Sequence, residues 1–194
     1  MKAVFVDRDG VIDALVPDPV TGEPESPLRT EDVELLPGAA AALKRMRAGG
    51  WLLVGVSNQP AASKGLVSVQ QLHRVQARVL ELLAGQGATF DAFELCLHHP
   101  AGVVDALSGP CDCRKPAPGM LLAAAQNLGI DLKRSWMIGD TDSDVLAGSA
   151  AGCRTVLVEH PQSAHKRAPG VRPDAIASDL EAAAALVLQP ALVN

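Results

Sequence analysis

Three short apolar runs in this chain each break off at a small polar cluster, and helix-forming stretches separate them. Residues 2–6 are apolar and rich in Val and Phe up to Asp7, residues 51–56 run up to Ser57-Asn58, and residues 135–138 run up to Gly139-Asp140. Runs of this length bounded by turn residues read as strands. Between them, residues 38–48 form an alanine-rich helix that stops at Gly49-Gly50. Ser68 caps a second helix reaching about Leu83, with Leu72, Val75, Val79 and Leu83 on one face. Residues 117–128 form a third, ended by Gly129. Residues 90–97 and 154–158 add two strands, and helices follow Asp140 and Asp179 to about Ala151 and Leu188. Such alternation dictates an α/β fold, a doubly wound parallel sheet with helices on both faces. Ligands of such sheets bind outside the carboxyl ends of the strands. Asp7, Ser57 and Asp140 each follow a strand and should meet at one rim. Residues 14–37 hold five prolines and Gly22, and are expected as a loop or small flap. With no repeat, linker or inserted segment large enough to act as a lid, residues 1–194 are expected as a single domain.

Composition excludes several partners. The net charge is −5 and no Lys/Arg block interrupts it, so the chain lacks the basic stripe of a nucleic-acid binder. No apolar run approaches the roughly 18 residues needed to cross a bilayer, and no secretory leader pattern is seen, so the cytoplasm is the expected location. No heptad seam stands out, and a monomer is expected.

Chemistry is carried by four segments. Asp7-Arg8-Asp9-Gly10 places two carboxylates around one residue at a strand end, with a glycine for the turn. Alone, this pattern also occurs in ordinary turns. Ser57 offers a hydroxyl after the second strand, Lys115 in Arg114-Lys115-Pro116 a compact charge before a helix, and Gly139-Asp140-Thr141-Asp142-Ser143-Asp144 two more carboxylates four residues apart. Asp142, Arg8 and Asp13 receive no role from the spacing and read as solvated side chains or a helix cap. A further pattern lies between: Cys96-Leu97-His98-His99-Pro100, then Cys111-Asp112-Cys113. Two tight pairs of thiolate and imidazole ligands on a Gly/Pro-containing loop suit a closed tetrahedral zinc site. Reduced structural thiols or a Cys111–Cys113 redox pair are the alternatives, and spacing alone leaves the choice between His98 and His99 open. Cys153, before a strand, reads as a buried thiol.

Taken together, VFVDRDGVI, VSNQ, the RKP lysine and IGDTDSDV resemble, in order, the motifs of the haloacid dehalogenase-like phosphatase superfamily. The cysteine loop further resembles the D-glycero-D-manno-heptose 1,7-bisphosphate phosphatase family and its histidinol-phosphatase relatives, whose pattern is Cys-x-His-His-Pro … Cys-x-Cys-Arg-Lys-Pro. The resemblance implies a Rossmann-like core and a Mg²⁺-dependent phosphatase with Asp7 as nucleophile and Asp9 as acid and base. It implies a magnesium site of the Asp7 carboxylate, the Asp9 carbonyl and the Asp140 carboxylate, with Asp144 orienting a bound water. It implies that Ser57, Asn58 and Lys115 hold phosphoryl oxygens, and that Cys96, His98, Cys111 and Cys113, but not His99, bind a structural Zn²⁺ that pins the loop carrying Arg114 and Lys115. The substrate it implies is a small phosphorylated metabolite, heptose bisphosphate before histidinol phosphate or another sugar phosphate. Arg114 could grip a second phosphate or sugar hydroxyls, or stay solvated. Residues 11–30, 59–66 and the cysteine loop are expected to select the substrate. The chain departs from the family pattern there: Ser57-Asn58-Gln59-Pro60-Ala61-Ala62-Ser63-Lys64-Gly65 has Pro60 in place of a donor and Lys64 in place of an arginine, and the loop with Pro17, Pro19, Pro24 and Pro27 is long. A receiver domain also carries an aspartyl-phosphate, but on an acid that follows a middle strand of its chain, and a phosphotransferase would share all the catalytic residues.

Overall fold

Strand β1 (Ala3–Val6) is buried at every residue, because the sheet it enters is covered on both faces. The computed structural model describes residues 1–18 and 21–189, so Pro19 of the long loop lies outside the described residues. After β1 the chain makes a two-residue-stranded hairpin, β2 (Val16–Pro17) with β3 (Pro24–Glu25), inside the proline-rich segment expected as a flap. There follow α1 (Ala39–Ala48), β4 (Leu52–Asn58), α2 (Val69–Gly85), β5 (Ala92–Cys96), α3 (Gly119–Leu128), β6 (Trp136–Gly139), α4 (Asp142–Ala151), β7 (Arg154–Val158), β8 (Ala175–Ala177) and α5 (Leu180–Leu188). The main sheet is parallel throughout, in the order β5-β4-β1-β6-β7-β8.

Alternation along β1 divides the core. Val4 and Val6 face one layer with Leu43 and Met46 of α1, Val75 and Val79 of α2 and Ala184 of α5. Ala3 and Phe5 face the other, against Met120, Leu121 and Ala124 of α3 and Ala147 of α4. This is the doubly wound α/β fold expected, and among the described residues nothing between β1 and α1 is larger than the hairpin and a single 3₁₀ turn, Thr30–Asp32. Ser68 caps α2 as expected, its side chain accepting the Gln71 N–H at 3.1 Å. Strand β8 was not expected; three residues with one β-branched side chain give no periodic signal. No helix among the described residues is long and apolar enough to cross a membrane.

Parallel pairing sets Val6 opposite Gly55 of β4 and Ile138 of β6, which puts the ends of these strands on one rim. Asp7 follows β1, Ser57 and Asn58 close β4, and Asp140 follows β6.

Candidate active site

Asp7 leaves the sheet with its amide still donating to the Ile138 carbonyl at 2.9 Å, so its side chain starts from a fixed point on the rim. Opposite it stands Lys115, only 3% exposed. The ammonium lies 2.8 Å from Asp7 Oδ1 and 2.6 Å from Asp144 Oδ1, and donates to the Val56 carbonyl at 2.8 Å. Two buried ion pairs and one hydrogen bond therefore fix this ammonium between Asp7, Asp144 and the end of β4. Burial opposes its charge, but Asp144 and Asp7 outweigh that and raise its pKa. Asn58 fixes Lys115 from the side: its Nδ2 donates to the Lys115 carbonyl at 3.0 Å and its Oδ1 accepts the Lys115 amide at 3.1 Å. Asn58 thus lines the cleft with its amide engaged on the lysine backbone.

Carboxyl oxygens of Asp7, Asp140 and Asp144 all lie within 4.8 Å of one another. Burial pushes the Asp7 carboxyl well up, with Asp144 adding to the shift and Lys115 opposing it. Burial and then the Asp144 charge bring Asp140 up to about 7. One ammonium serves three buried acids, and Asp140 Oδ1 has no hydrogen-bond partner. A hard divalent cation with oxygen ligands fits both the excess charge and the orphaned oxygen. The room is made by Gly10, at φ 79°, where any Cβ would collide with the Asp140 carboxylate. Asp144 also closes the α4 capping box, accepting the Thr141 amide at 3.0 Å and hydroxyl at 2.6 Å.

Asp9 is turned to one side of this cluster. Its Oδ1 accepts from Arg8 Nη2 at 2.8 Å and Nε at 3.2 Å, and its Oδ2 from Gln59 Nε2 at 2.6 Å and Ser57 Oγ at 3.2 Å. Two expectations fail at this point. Arg8 and Asp13 are not solvated: both are 0% exposed, because the turn at Gly10 folds residues 8–13 back on themselves and carries them beneath the rim. Arg8 also donates to Gln76 on α2 at 3.1 Å and lies 3.7 Å from Asp13. Burial, with the Asp9 charge adding and Arg8 opposing, brings Asp13 up to about 8. Asp142 is neither free nor a cap. Thr141 is the N-cap of α4, and Asp142 Oδ2 accepts the Ala168 amide at 2.6 Å.

The cysteine loop closes beside this site. The Sγ atoms of Cys96, Cys111 and Cys113 and the His98 ring gather within 4.8 Å of one another. His98 Nδ1 is 3.3 Å from Cys113 Sγ, whereas His99 points away and accepts the Ala101 amide at 3.1 Å. Three thiols with no disulfide among them and one imidazole make a set of four soft or borderline ligands, the kind that holds Zn²⁺. Cys153 is buried as expected, its thiol pushed up to about 12 by desolvation.

A cleft of about 310 Å³ opens over Asp7. Glu25 and Ser26 from the flap, Pro60 and Lys64 from the loop after β4, and Arg114 from the cysteine loop line it, in line with the expected three loops. A fourth segment was missed: the 3₁₀ turn Pro161–Lys166 contributes Lys166, whose Nζ lies 3.1 Å from Glu25 Oε2. No local pattern in residues 159–168 marks it. Gln59, beneath Asp9, was also missed; its place in the Ser57-Asn58-Gln59 run was the available signal.

A HAD-hydrolase-like family model matches residues 112–183, which carry Lys115, Asp140 and Asp144. A D-glycero-D-manno-heptose-1,7-bisphosphate 7-phosphatase of Thermosynechococcus vestitus is 38% identical over 93% of this chain and 92% of its own. The chain belongs to the haloacid dehalogenase-like phosphatases. A D-glycero-beta-D-manno-heptose-1,7-bisphosphate 7-phosphatase of Rhodopseudomonas palustris is 37% identical over 77% of this chain and 79% of its own. The crystal structure of the D,D-heptose 1,7-bisphosphate phosphatase of B. bronchiseptica, complexed with magnesium and phosphate, superposes with a TM-score of 0.81 at 30% identity over 97% of this chain and 99% of that one. Membership in these phosphatases makes the protein a phosphomonoester hydrolase.

Proposed function

We propose that this phosphatase removes one phosphate from a heptose 1,7-bisphosphate through an aspartyl-phosphate on Asp7. The observation that carries the choice of substrate is the charge of the cleft rim. Lys115 already faces Asp7 and Asp144, and Lys166 is paired with Glu25 of the flap, yet Lys64 and Arg114 add two more cations around the same opening. That is more cation than one transferred phosphoryl group requires, and it suits a second phosphate. It disfavours histidinol phosphate, whose ammonium would face Lys64 and Arg114. The heptose bisphosphatases of T. vestitus and R. palustris support the same reading.

Asp7, Asp140 and the Asp9 main-chain carbonyl would hold the magnesium ion, with Asp144 orienting one of its waters. Magnesium, when bound, neutralises phosphoryl charge so that an anionic nucleophile can approach. Asp7 then attacks phosphorus in line with the leaving oxygen, and Ser57 and Lys115 steady the equatorial oxygens. Asp9 gives a proton to the departing sugar oxygen, which leaves as a hydroxyl, and later takes one from the water that hydrolyses the acyl phosphate. Asp9 has to leave its present donors to do so, since a carboxylate accepting from Arg8, Gln59 and Ser57 has no proton to give. The Cys96, His98, Cys111 and Cys113 set would hold zinc and keep Arg114 and Lys115 in register with the rim.

The deciding assay is phosphate release with Mg²⁺ from both anomers of heptose 1,7-bisphosphate, histidinol phosphate and common sugar monophosphates. We expect one heptose bisphosphate to exceed the others by a hundredfold or more in kcat/KM. Equal, low rates on all of them would overturn the substrate and leave the hydrolase chemistry standing.

A further inference from the structure

The two oxygens of Asp140 are not equivalent. Oδ2 accepts the hydroxyl of Ser163, while Oδ1, also buried, has no hydrogen-bond partner. Ser163 comes from the turn Pro161–Lys166, more than twenty residues along the chain, and is 0% exposed. A carboxylate without such a partner can rotate and present either oxygen, or turn aside. We propose that Ser163 is a positioning residue that pins Oδ2 and so aims Oδ1 of Asp140 at the magnesium site. The proposal rests on the reading of Asp140 as a magnesium ligand.

The surroundings are built to hold the serine still. Its own amide donates to the His160 carbonyl at 3.1 Å, and Arg167 Nη2 donates to the same carbonyl at 2.7 Å. Beyond the turn, the Ala168 amide is latched to Asp142 at 2.6 Å, two residues from Asp140 itself. On the far side, Lys166 grips Glu25 of the flap at 3.1 Å. The segment 160–168 is therefore tied to the strand-end loop by Asp142 and to the flap by Glu25, with the Ser163 hydroxyl held between the two ties. A side chain at Gly10 would meet both partners of this contact, the Asp140 carboxylate and the Ser163 hydroxyl. The latch also gives Asp142 a place in the site that its sequence position did not.

Partners that orient a ligating carboxylate affect metal affinity by about 10- to 100-fold when removed. The test is direct binding of Mn²⁺, as a stand-in with Mg²⁺ competing, to enzyme stripped of Mg²⁺ with its cysteine loop intact. Loss of the free Mn²⁺ electron paramagnetic resonance signal reports the binding, and circular dichroism checks the fold. Ser163→Ala and Ser163→Val should each weaken binding about 10- to 100-fold, whereas Ser163→Thr, which has the shape of valine but keeps the hydroxyl, should stay within about threefold of the parent. Parental affinity in Ser163→Ala, or equal losses in the Thr and Val variants, would overturn the proposal. Asp140→Asn runs alongside. If it binds Mn²⁺ as the parent does, the reading of Asp140 as a ligand falls; if it loses binding while Ser163→Ala keeps it, only the role of Ser163 falls.

Discussion

Asp7, Asp140 and Asp144 reach their cluster from the ends of two buried strands and the first turn of a helix, whereas Cys96, His98, Cys111 and Cys113 reach theirs mostly from loop. The acids sit on a scaffold that stands without them: β1 and β6 are buried at all their residues. What the scaffold does there is hold like charges together, with one lysine among three carboxylates. The cysteine loop has the opposite problem. Its thiols and imidazole suit a metal, but Leu97 and Leu107 are only partly buried, and a few hydrogen bonds to Ser63 tie residues 97–110 to the body. A metal at the first centre offsets a strain that the fold imposes. A metal at the second would supply order that the fold does not.

Replacing the proposed nucleophile tests the first half of that contrast and should give the largest effect. Asp7→Asn removes the oxygen proposed to attack phosphorus and one of the crowded charges at the same time. Turnover should fall by about 10⁴-fold or more, the scale of losing a residue on which the whole reaction depends. The metal-free variant should nevertheless melt no lower than the parent, and higher if repulsion within the cluster is real, because a neutral amide replaces a buried carboxylate. Scanning calorimetry without Mg²⁺ checks the second part. A variant that keeps a few per cent of activity would end the assignment of Asp7, and one that melts well below the parent would show that the cluster contributes stability instead of consuming it.

Stripping the soft-ligand centre tests the other half. With the thiols kept reduced, a zinc chelator should release about one equivalent of zinc, expose residues 97–114 to limited proteolysis and cut activity at least tenfold as Arg114 and Lys115 lose their tether, while the helical circular dichroism of the core persists. Omitting Mg²⁺ should do the reverse, ending turnover with no new cleavage. If the purified protein holds no zinc, or if chelation leaves proteolysis and rate unchanged, the contrast between the centres is wrong.

How much of each centre the sequence foretold follows from the same contrast. Asp7, Ser57 and Asp140 could be placed on one rim because the apolar runs before them, residues 2–6, 51–56 and 135–138, are short and end abruptly, and a parallel sheet aligns strand ends whatever the intervening loops do. The cysteine and histidine cluster was legible as residue types, but Cys-x-His-His offers two rings, and the position of His98 against Cys113 depends on how the loop closes. Ser163 had no legible signal. It meets Asp140 only because the 3₁₀ turn folds over the rim, and no spacing connects them. Arg8 and Asp13 were misread for a related reason, since two charged residues in a short loop are ordinarily solvated unless a turn drives them inward.

Asp13 gives the smallest effect and shows how far the charge crowding reaches behind the carboxylate centre. Its carboxyl is raised to about 8 by burial and by the Asp9 charge against the opposing Arg8. An acid with a raised folded pKa stabilises while it is protonated in the fold, and that stability is lost as the pH rises through the folded value. Between its unfolded pKa and about 8 the folded state binds the extra proton, so stability should fall with increasing pH, by at most about 1.4 kcal/mol per unit. At saturating Mg²⁺, His99 and His160, whose pKa values burial lowers, also titrate near this range, so the Asp13 share is the part of the slope between pH 6 and 8 that its replacement removes. Denaturant melts across that range should show the decline in the parent and a flatter profile in Asp13→Asn. An equal slope in both would place the buried proton elsewhere and confine the crowding to Asp7, Asp140 and Asp144. A flat parent would show that the ion pair with Arg8 already holds Asp13 ionised, which would make the network under Asp9 a balanced one and leave the metal cluster as the only part of the rim that works against its own charge.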